Sequence, residues 1–314
     1  MISNDCVRHY RTMFTIVVFA MVSYPQSACQ VKGQGAVYMP SQIRDTSRLC
    51  IHSITHQPWP IETTIEQLSA RSVGGITLWR QALEGHSVSA IAAHIRVAGL
   101  KVISLCRGGF FPATDISQQL RAIDDNRKAI DQAAELGAPL LVLVPGADPS
   151  QSLYTSRQQI AEGIAAILPH AAACDVRLGI EALHPMYADT RSAINTLRQA
   201  NELCAQFNSP SLGVVVDVYH LWWDPDLQVE IQRAGDAQRI FAYHICDWKS
   251  PTTDLLNDRG LMGEGCIPLR QIRSWIESSG FDGFHEVEIF SNHYWAMEQE
   301  VFLERIIQAY LDHS

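Results

Sequence analysis

The sequence lacks the short signatures that assign nucleotide or zinc chemistry directly. It has no GxGxxG, no GxxxxGK[ST], and no CxxC or other zinc-type pair among its eight cysteines. The missing glycine-rich phosphate loop weakens the case for a doubly wound nucleotide-binding sheet. The cysteines are scattered at 6, 29, 50, 106, 174, 204, 246 and 266. Cys50, Cys106 and Cys246 fall inside apolar runs, where a free thiol behaves as a small hydrophobe. That pattern describes a reduced protein, not a disulfide framework. Basic residues are also few: 24 Lys and Arg against 33 Asp and Glu give a net charge of −9, with no long basic run. Nucleic acid is therefore not an expected partner, although a few local arginines can still admit an anionic substrate. The apolar run at 13–22 is too short to cross a bilayer, so no membrane partner is expected.

Two readings of residues 1–38 stay open. Arg8 and Arg11 precede the apolar run, and 23–29 resemble the polar end of a secretion signal, which makes 1–28 a removable leader and the protein exported. The preferred expectation takes Met39 as the natural start, 1–38 as upstream translated sequence outside any domain, and the protein as cytoplasmic. N-terminal sequencing decides, since cleavage after residue 28 excludes the Met39 start.

From residue 48 onward strand and helix patterns alternate. The strand-like runs are 48–55, 74–80, 101–108, 139–146, 177–184, 212–220, 240–248 and 284–290, near-continuously apolar and rich in β-branched residues, as buried parallel strands are. Helix-type stretches lie between them, among them one after Pro60, one ending on Gly99, 116–137 ending on Gly137, 155–173, 189–207 and 296–312. Eight βα units without a linker predict one domain over 48–314, a (β/α)8 TIM barrel. Its length of about 267 residues is close to the roughly 250 typical of that fold.

Active sites of such barrels sit at the C-terminal ends of the strands. Four ligand-type residues fall there on successive runs: Glu181, Asp217, His244 and Glu288. Side chains alternate along a strand, so Glu286 and Glu288 share a face, with Glu288 nearer the mouth and Glu286 deeper and structural. Any one of the four could be a salt-bridge partner or a loop cap. Together they form an inward carboxylate cluster that suffers repulsion and desolvation unless a cation joins it. Three carboxylates and one imidazole suit Mn²⁺ first, with Mg²⁺ or Co²⁺ next and Zn²⁺ less favoured.

These motifs carry a family resemblance. IEALHP at Glu181, D-x-x-H at Asp217 and His220, H-x-x-D at His244 and Asp247, and GFDGFHEVEIF around Glu288 together resemble the xylose-isomerase-like barrel superfamily of sugar and sugar-phosphate isomerases and epimerases. The resemblance covers essentially 48–314. It implies that Glu181, Asp217, His244 and Glu288 ligate a divalent metal. It further implies that Glu181 and Glu288 act as an acid/base pair about the substrate carbon. The chemistry is coherent: a cation on a carbonyl and its neighbouring hydroxyl lowers the cost of the enediolate left by proton loss, and carboxylates on opposite faces remove and return the proton. The resemblance also implies that His220 contacts substrate or a further metal, with a loop histidine capping a helix as the alternative, and that Arg259 contacts substrate. Arg107 ends the third strand run beside two glycines that would let a ligand approach the backbone, and its guanidinium can fork onto hydroxyl, carboxylate or phosphate. A salt bridge to a loop acid is its alternative. His184, Trp79 and His52 complete the substrate candidates, against barrel packing for the last two and loop bracing for the first. Trp222 and Trp223 offer a sugar-stacking wall or helix packing.

The leading expectation is a metal-dependent sugar or sugar-phosphate isomerase or epimerase; a homo-oligomer is compatible with it. The runner-up is a dehydratase or lyase of the same superfamily acting on keto-inositols or 3-keto-glycosides. An endonuclease IV-type repair enzyme is remote, because it needs further histidines and a basic groove. A non-enzymatic ligand-binding barrel is equally remote, because all four ligands are present.

Overall fold

The computed structural model describes residues 42–314; the expectations for residues 1–38 lie outside the described residues. Eight parallel strands close into a barrel: β1 (Leu49–His52), β2 (Gly75–Trp79), β3 (Lys101–Gly109), β4 (Leu140–Val144), β5 (Arg177–Glu181), β6 (Leu212–Asp217), β7 (Ile240–Ile245) and β10 (His285–Val287), with β10 pairing both β7 and β1. A two-stranded antiparallel ribbon, β8 (Asp247–Trp248) with β9 (Arg259–Gly260), stands beyond the end of β7. The eightfold βα barrel expected from the sequence is the fold found.

The outer ring consists of α1 (Ile61–Ala70), α2 (Val88–Val97), α3 (Ile116–Leu136), α4 (Leu153–Ala173), α5 (Leu197–Phe207), α7 (Leu227–Asp236), α8 (Leu269–Ser278) and α10 (Gln299–His313), with two single turns, α6 (Val218–Leu221) and α9 (Asn292–Trp295). Helix starts follow capping chemistry: Ser87, Asp115, Ser152 and Thr196 each accept a backbone N–H with the side chain. Gly137 ends α3 in the left-handed conformation, as its position predicts. One helix differs. The stretch 189–196 is loop, and α5 begins at Leu197. Ser192 N turns back onto the Tyr187 carbonyl five residues earlier, the Arg191 carbonyl accepts from Gly146 N in the loop after β4, and Ala193 N donates to the Gly146 carbonyl, so these groups are committed away from a helix ladder.

The main apolar core lies between strands and helices, where residues such as Leu49, Ile51, Ile76, Ile130, Ile164, Val214, Ile272 and Phe302 are fully buried. The barrel interior is thinner and partly polar. Cys106, Val142, Val215 and Ala242 fill part of it. Beside them Glu286 accepts from Thr77 Oγ1 at 2.6 Å and from Ser104 Oγ at 3.2 Å. A carboxylate this deep persists because Thr77 and Ser104 donate to it and the His52 and His244 rings stand beside it. Among the described residues no helix is long and apolar enough to cross a membrane.

Candidate metal centre

Strand geometry brings the four candidate ligands together. Glu181 and Asp217 are the last residues of β5 and β6, His244 is the penultimate residue of β7, and Glu288 follows β10 by one residue. Asp217 pairs in register with His244, which in turn pairs with Glu286, one level below Glu288. One ligand atom from each of Glu181, Asp217, His244 and Glu288 lies within 4.8 Å of all the others, and all four residues are buried. His244 Nδ1 is 2.9 Å from Glu181 Oε1, yet neither atom has a hydrogen-bond partner in suitable geometry, and His244 Nε2 is likewise unpartnered. Buried, unpartnered ligand atoms such as Glu181 Oε1 and His244 Nδ1, facing each other beside two further carboxylates, are the arrangement a cation satisfies.

Two cationic side chains reach this cluster. Arg259, on β9, is buried; its Nη1 lies 2.7 Å from Glu288 Oε2 and 3.4 Å from Asp217 Oδ2, and its Nη2 lies 3.4 Å from His220 Nε2. His52, at the end of β1, places Nδ1 3.0 Å from Glu288 Oε1 and Nε2 3.3 Å from Glu286 Oε2. Trp79 Nε1 stands 3.2 Å from the same His52 Nδ1. Trp79 donates that bond, so it fixes the His52 ring beside the two carboxylates. His52 is thus part of the charge network around Glu288 and not plain barrel packing.

These contacts set the titration directions. Burial raises the Glu288 carboxyl, but Arg259 and His52 outweigh it and hold Glu288 well below the ordinary carboxylate range. Burial also dominates Asp217, and with Glu181 and Glu288 it overcomes the pull of Arg259, so Asp217 rises to about 7. Burial lowers His52 and His244, yet the facing carboxylates leave both raised. His220 is held neutral by burial and by the Arg259 charge beside it.

A small cavity of about 30 Å³ touches the cluster; Trp79, Arg107, Glu181, His220, Arg259 and Glu288 are among its walls. Larger cavities, about 430 Å³ beside Arg107 and about 360 Å³ beside Trp79, flank it without reaching the carboxylates. Of the sequence candidates, His184, Trp222 and Trp223 are placed apart from the cavity. His184 is half-buried and capped by its own loop, accepting from Met186 N at 3.2 Å, with its ring against Trp223 and Trp248. Trp222 packs against Trp248, and Trp223 donates to the His220 carbonyl, so neither lines the cavity. Arg107 makes no salt bridge among the described residues. The glycines after it line the larger cavity beside Arg107, with their Cβ positions turned against neighbouring chain. A Cβ on Gly108 would collide with Asn126 Oδ1, and one on Gly109, at φ +99°, with the Val144 carbonyl.

Tyr187, Arg191 and Phe290 also line the cavity and escaped the sequence reading. Arg191 sits in the stretch 189–207 that reads as a helix, and Tyr187 lies in the short turn before it, which hid them. Asp247 is the remaining surprise. Its carboxylate accepts from the backbone N–H groups of Trp248, Gly263, Gly265 and Ile267 at 2.8–3.0 Å, fixing the loop that carries Arg259.

Comparison with known proteins identifies the family of the barrel. The sequence model of the xylose isomerase-like TIM barrel matches residues 65–306. The chain belongs to that family. It is 44% identical to protein SMc04130 from Sinorhizobium meliloti 1021, whose crystal structure superposes with a TM-score of 0.82 over 85% of this chain and 98% of that one. An inosose isomerase of Bacillus velezensis is 23% identical over 220 residues, 69% of this chain and 77% of the relative. The IOLI protein, solved with a bound zinc atom, shares the family fold at a TM-score of 0.70 and 22% identity, over 84% of this chain and 97% of that one.

Proposed function

We propose that the chain is a divalent-metal-dependent sugar isomerase or epimerase that moves a proton at a carbon next to a carbonyl. The observation that carries this is the convergence of Glu181, Asp217, His244 and Glu288 at the barrel mouth, with orphaned atoms on Glu181 and His244. The inosose isomerase relatives and the zinc atom in the IOLI structure support the same reading. Those four residues would hold the metal, and their oxygen-rich set favours Mn²⁺. When bound, the cation supplies a Lewis acid that polarises the substrate carbonyl.

The chain's own residues perform the rest. Glu288 is kept deprotonated by Arg259 and His52, the state a proton acceptor needs. As the substrate C–H bond breaks, its electron pair enters the adjacent carbonyl to give an enediolate, and the proton moves to a carboxylate. Glu181, reaching the mouth from a different strand, is the partner that takes up a proton from solvent and delivers it to the enediolate, while Glu288 releases to solvent the proton it accepted. His220, neutral and buried, is suited to hydrogen-bond a substrate hydroxyl without adding charge. Trp79 and Phe290, packed edge to face at 5.2 Å, form an apolar wall that excludes water from the carbanion.

The test is solvent-hydrogen exchange at the substrate α-carbon, measured by mass spectrometry on a panel of ketoses and keto-inositols with metal-stripped and Mn²⁺-restored protein. Metal-dependent exchange with an isomeric product is expected. An unsaturated or deglycosylated product would move the enzyme to the lyase class. No exchange on any panel member would reject the reading.

A further inference from the structure

We infer that the substrate carries an anionic group, a phosphate or a carboxylate, and that Arg107 and Arg191 hold it at the mouth of the barrel. This rests on the sugar-isomerase reading and adds the charge of the substrate to it.

Arg107 comes from β3 and Arg191 from the loop between β5 and α5, and both line the cavity that touches Glu181 and Glu288. Among the described residues neither guanidinium has an ion pair or a side-chain hydrogen bond. Arg107 Nε is buried without a partner. Each rests instead on an aromatic face: Arg107 lies 4.1 Å from the centre of the Phe110 ring and Arg191 lies 5.6 Å from that of Tyr187. An aromatic support holds a guanidinium in place while leaving its N–H fork free for an oxyanion. Arg259, the third arginine of the cavity, shows the contrast, because Glu288 and Asp217 already engage it.

Two uncommitted arginines side by side are costly. Burial lowers the Arg107 guanidinium and the neighbouring Arg191 charge lowers it further. A bridging anion removes both penalties, as a cation does for the carboxylates below. The chain as a whole has a net charge of −9, so this positive pair is a local feature and not a by-product of a basic surface.

The pair also stands on one stitched framework. Phe110 N donates to Val144 O at 2.9 Å and Phe111 N to Pro145 O at 3.1 Å, tying the end of β3 to the loop after β4. Gly146 N donates to Arg191 O at 2.8 Å and Ala193 N to Gly146 O at 2.9 Å, tying that loop to the Arg191 segment. Gly146 has φ +95°, and a Cβ there would lie 2.7 Å from Phe110 Cα, so the three segments close only around a glycine. The two arginines are therefore placed by backbone rather than by flexible loops, which is what a specificity element requires.

The experiment uses the full chain loaded with Mn²⁺. Exchange at the α-carbon is compared for three matched keto-sugars: neutral, phosphorylated, and bearing a carboxylate. Separately, inorganic phosphate and acetate are titrated calorimetrically into wild type, Arg191→Gln and Arg191→Lys. The expected result is a kcat/KM at least about tenfold higher for one anionic sugar than for the neutral one. In Arg191→Gln that ratio should collapse toward one through KM, with anion binding weakened about tenfold and largely recovered in Arg191→Lys. The anionic sugar that gains most tells phosphate from carboxylate. A neutral sugar preferred by wild type, or anion binding unchanged in Arg191→Gln, overturns the proposal. If no sugar exchanges, the isomerase reading fails, while the calorimetric arm still decides whether Arg191 binds an anion. A thermal melt of Arg191→Gln matching wild type excludes unfolding as the cause.

Discussion

Arg259 shows how one residue can couple charge balance to chemistry. Its guanidinium is buried between the Glu288 and Asp217 carboxylates and leans on the Tyr219 and Phe290 rings, 4.3 and 5.0 Å from their centres. Removing one member of a buried ion pair strands the other, at a cost of about 3–5 kcal/mol. Arg259→Met should therefore lose about that much stability by urea unfolding of metal-free protein, and Mn²⁺ should restore more stability to the variant than to wild type. Equal loss with and without Mn²⁺ would mean that Arg259 does not share its carboxylates with a cation. Glu288→Gln isolates the proton-transfer role. Loss of a general base lowers exchange by about 10²–10⁴-fold, and full exchange in that variant would remove Glu288 from the mechanism. These four mouth residues were legible in the sequence because each closes an apolar run whose parity can be counted. Arg191 was not, because a loop arginine gives no periodic signal and its place depends on the bonds among Gly146, Arg191 and Ala193.

At the scale of elements, the barrel strands were legible to within a few residues, since buried parallel strands read as continuous β-branched runs. The segment after β7 was not. H-x-x-D marks a site, yet the aspartate of that motif does not join the ligands. Asp247 turns its carboxylate onto four backbone N–H groups and shapes the loop through 267, so β9 can present Arg259 to the mouth. Burial raises the Asp247 carboxyl, and those N–H groups pull it back. The tyrosine hydroxyls of Tyr187 and Tyr219 both donate to the Leu255 carbonyl, at 2.6 and 3.0 Å, pinning the near side of the same loop. Asp247→Ala leaves buried N–H groups unsatisfied, about 1–3 kcal/mol for such a loss, and releases Arg259 from its register. Expected outcomes are faster limited proteolysis within 250–266 and a kcat/KM reduced by about tenfold or more. Unchanged proteolysis with normal activity would show that the ribbon holds without Asp247.

At the scale of the molecule, the barrel must join its first strand to its last, and the seam contains two histidines that burial keeps neutral. His56 follows β1 and its Nδ1 lies 3.0 Å from Gln299 Oε1 of α10; because Gln299 Nε2 donates to backbone carbonyls, Nδ1 carries the hydrogen. His285 opens β10 and meets Tyr310 of α10 at 3.2 Å. Burial lowers His56 to about 4 and His285 to about 3. An unfolded histidine titrates near 6.5. Above that value both residues are neutral in both states and the seam keeps its full stability. As the pH falls below about 6.5, the unfolded chain binds protons that the folded seam refuses, so stability drops until the folded values are reached. The raised His52 and His244 shift the balance the other way, favouring the folded state in acid, so total stability against pH is a sum of opposing parts. A difference measurement separates them. His56→Gln removes one depressed group, and the loss of unfolding free energy between pH 7 and pH 4.5, read from urea titrations, should be smaller than in wild type by roughly 2–3 kcal/mol. An identical pH slope in the two proteins would mean that His56 already binds its proton in the folded seam, and that acid opens the barrel elsewhere.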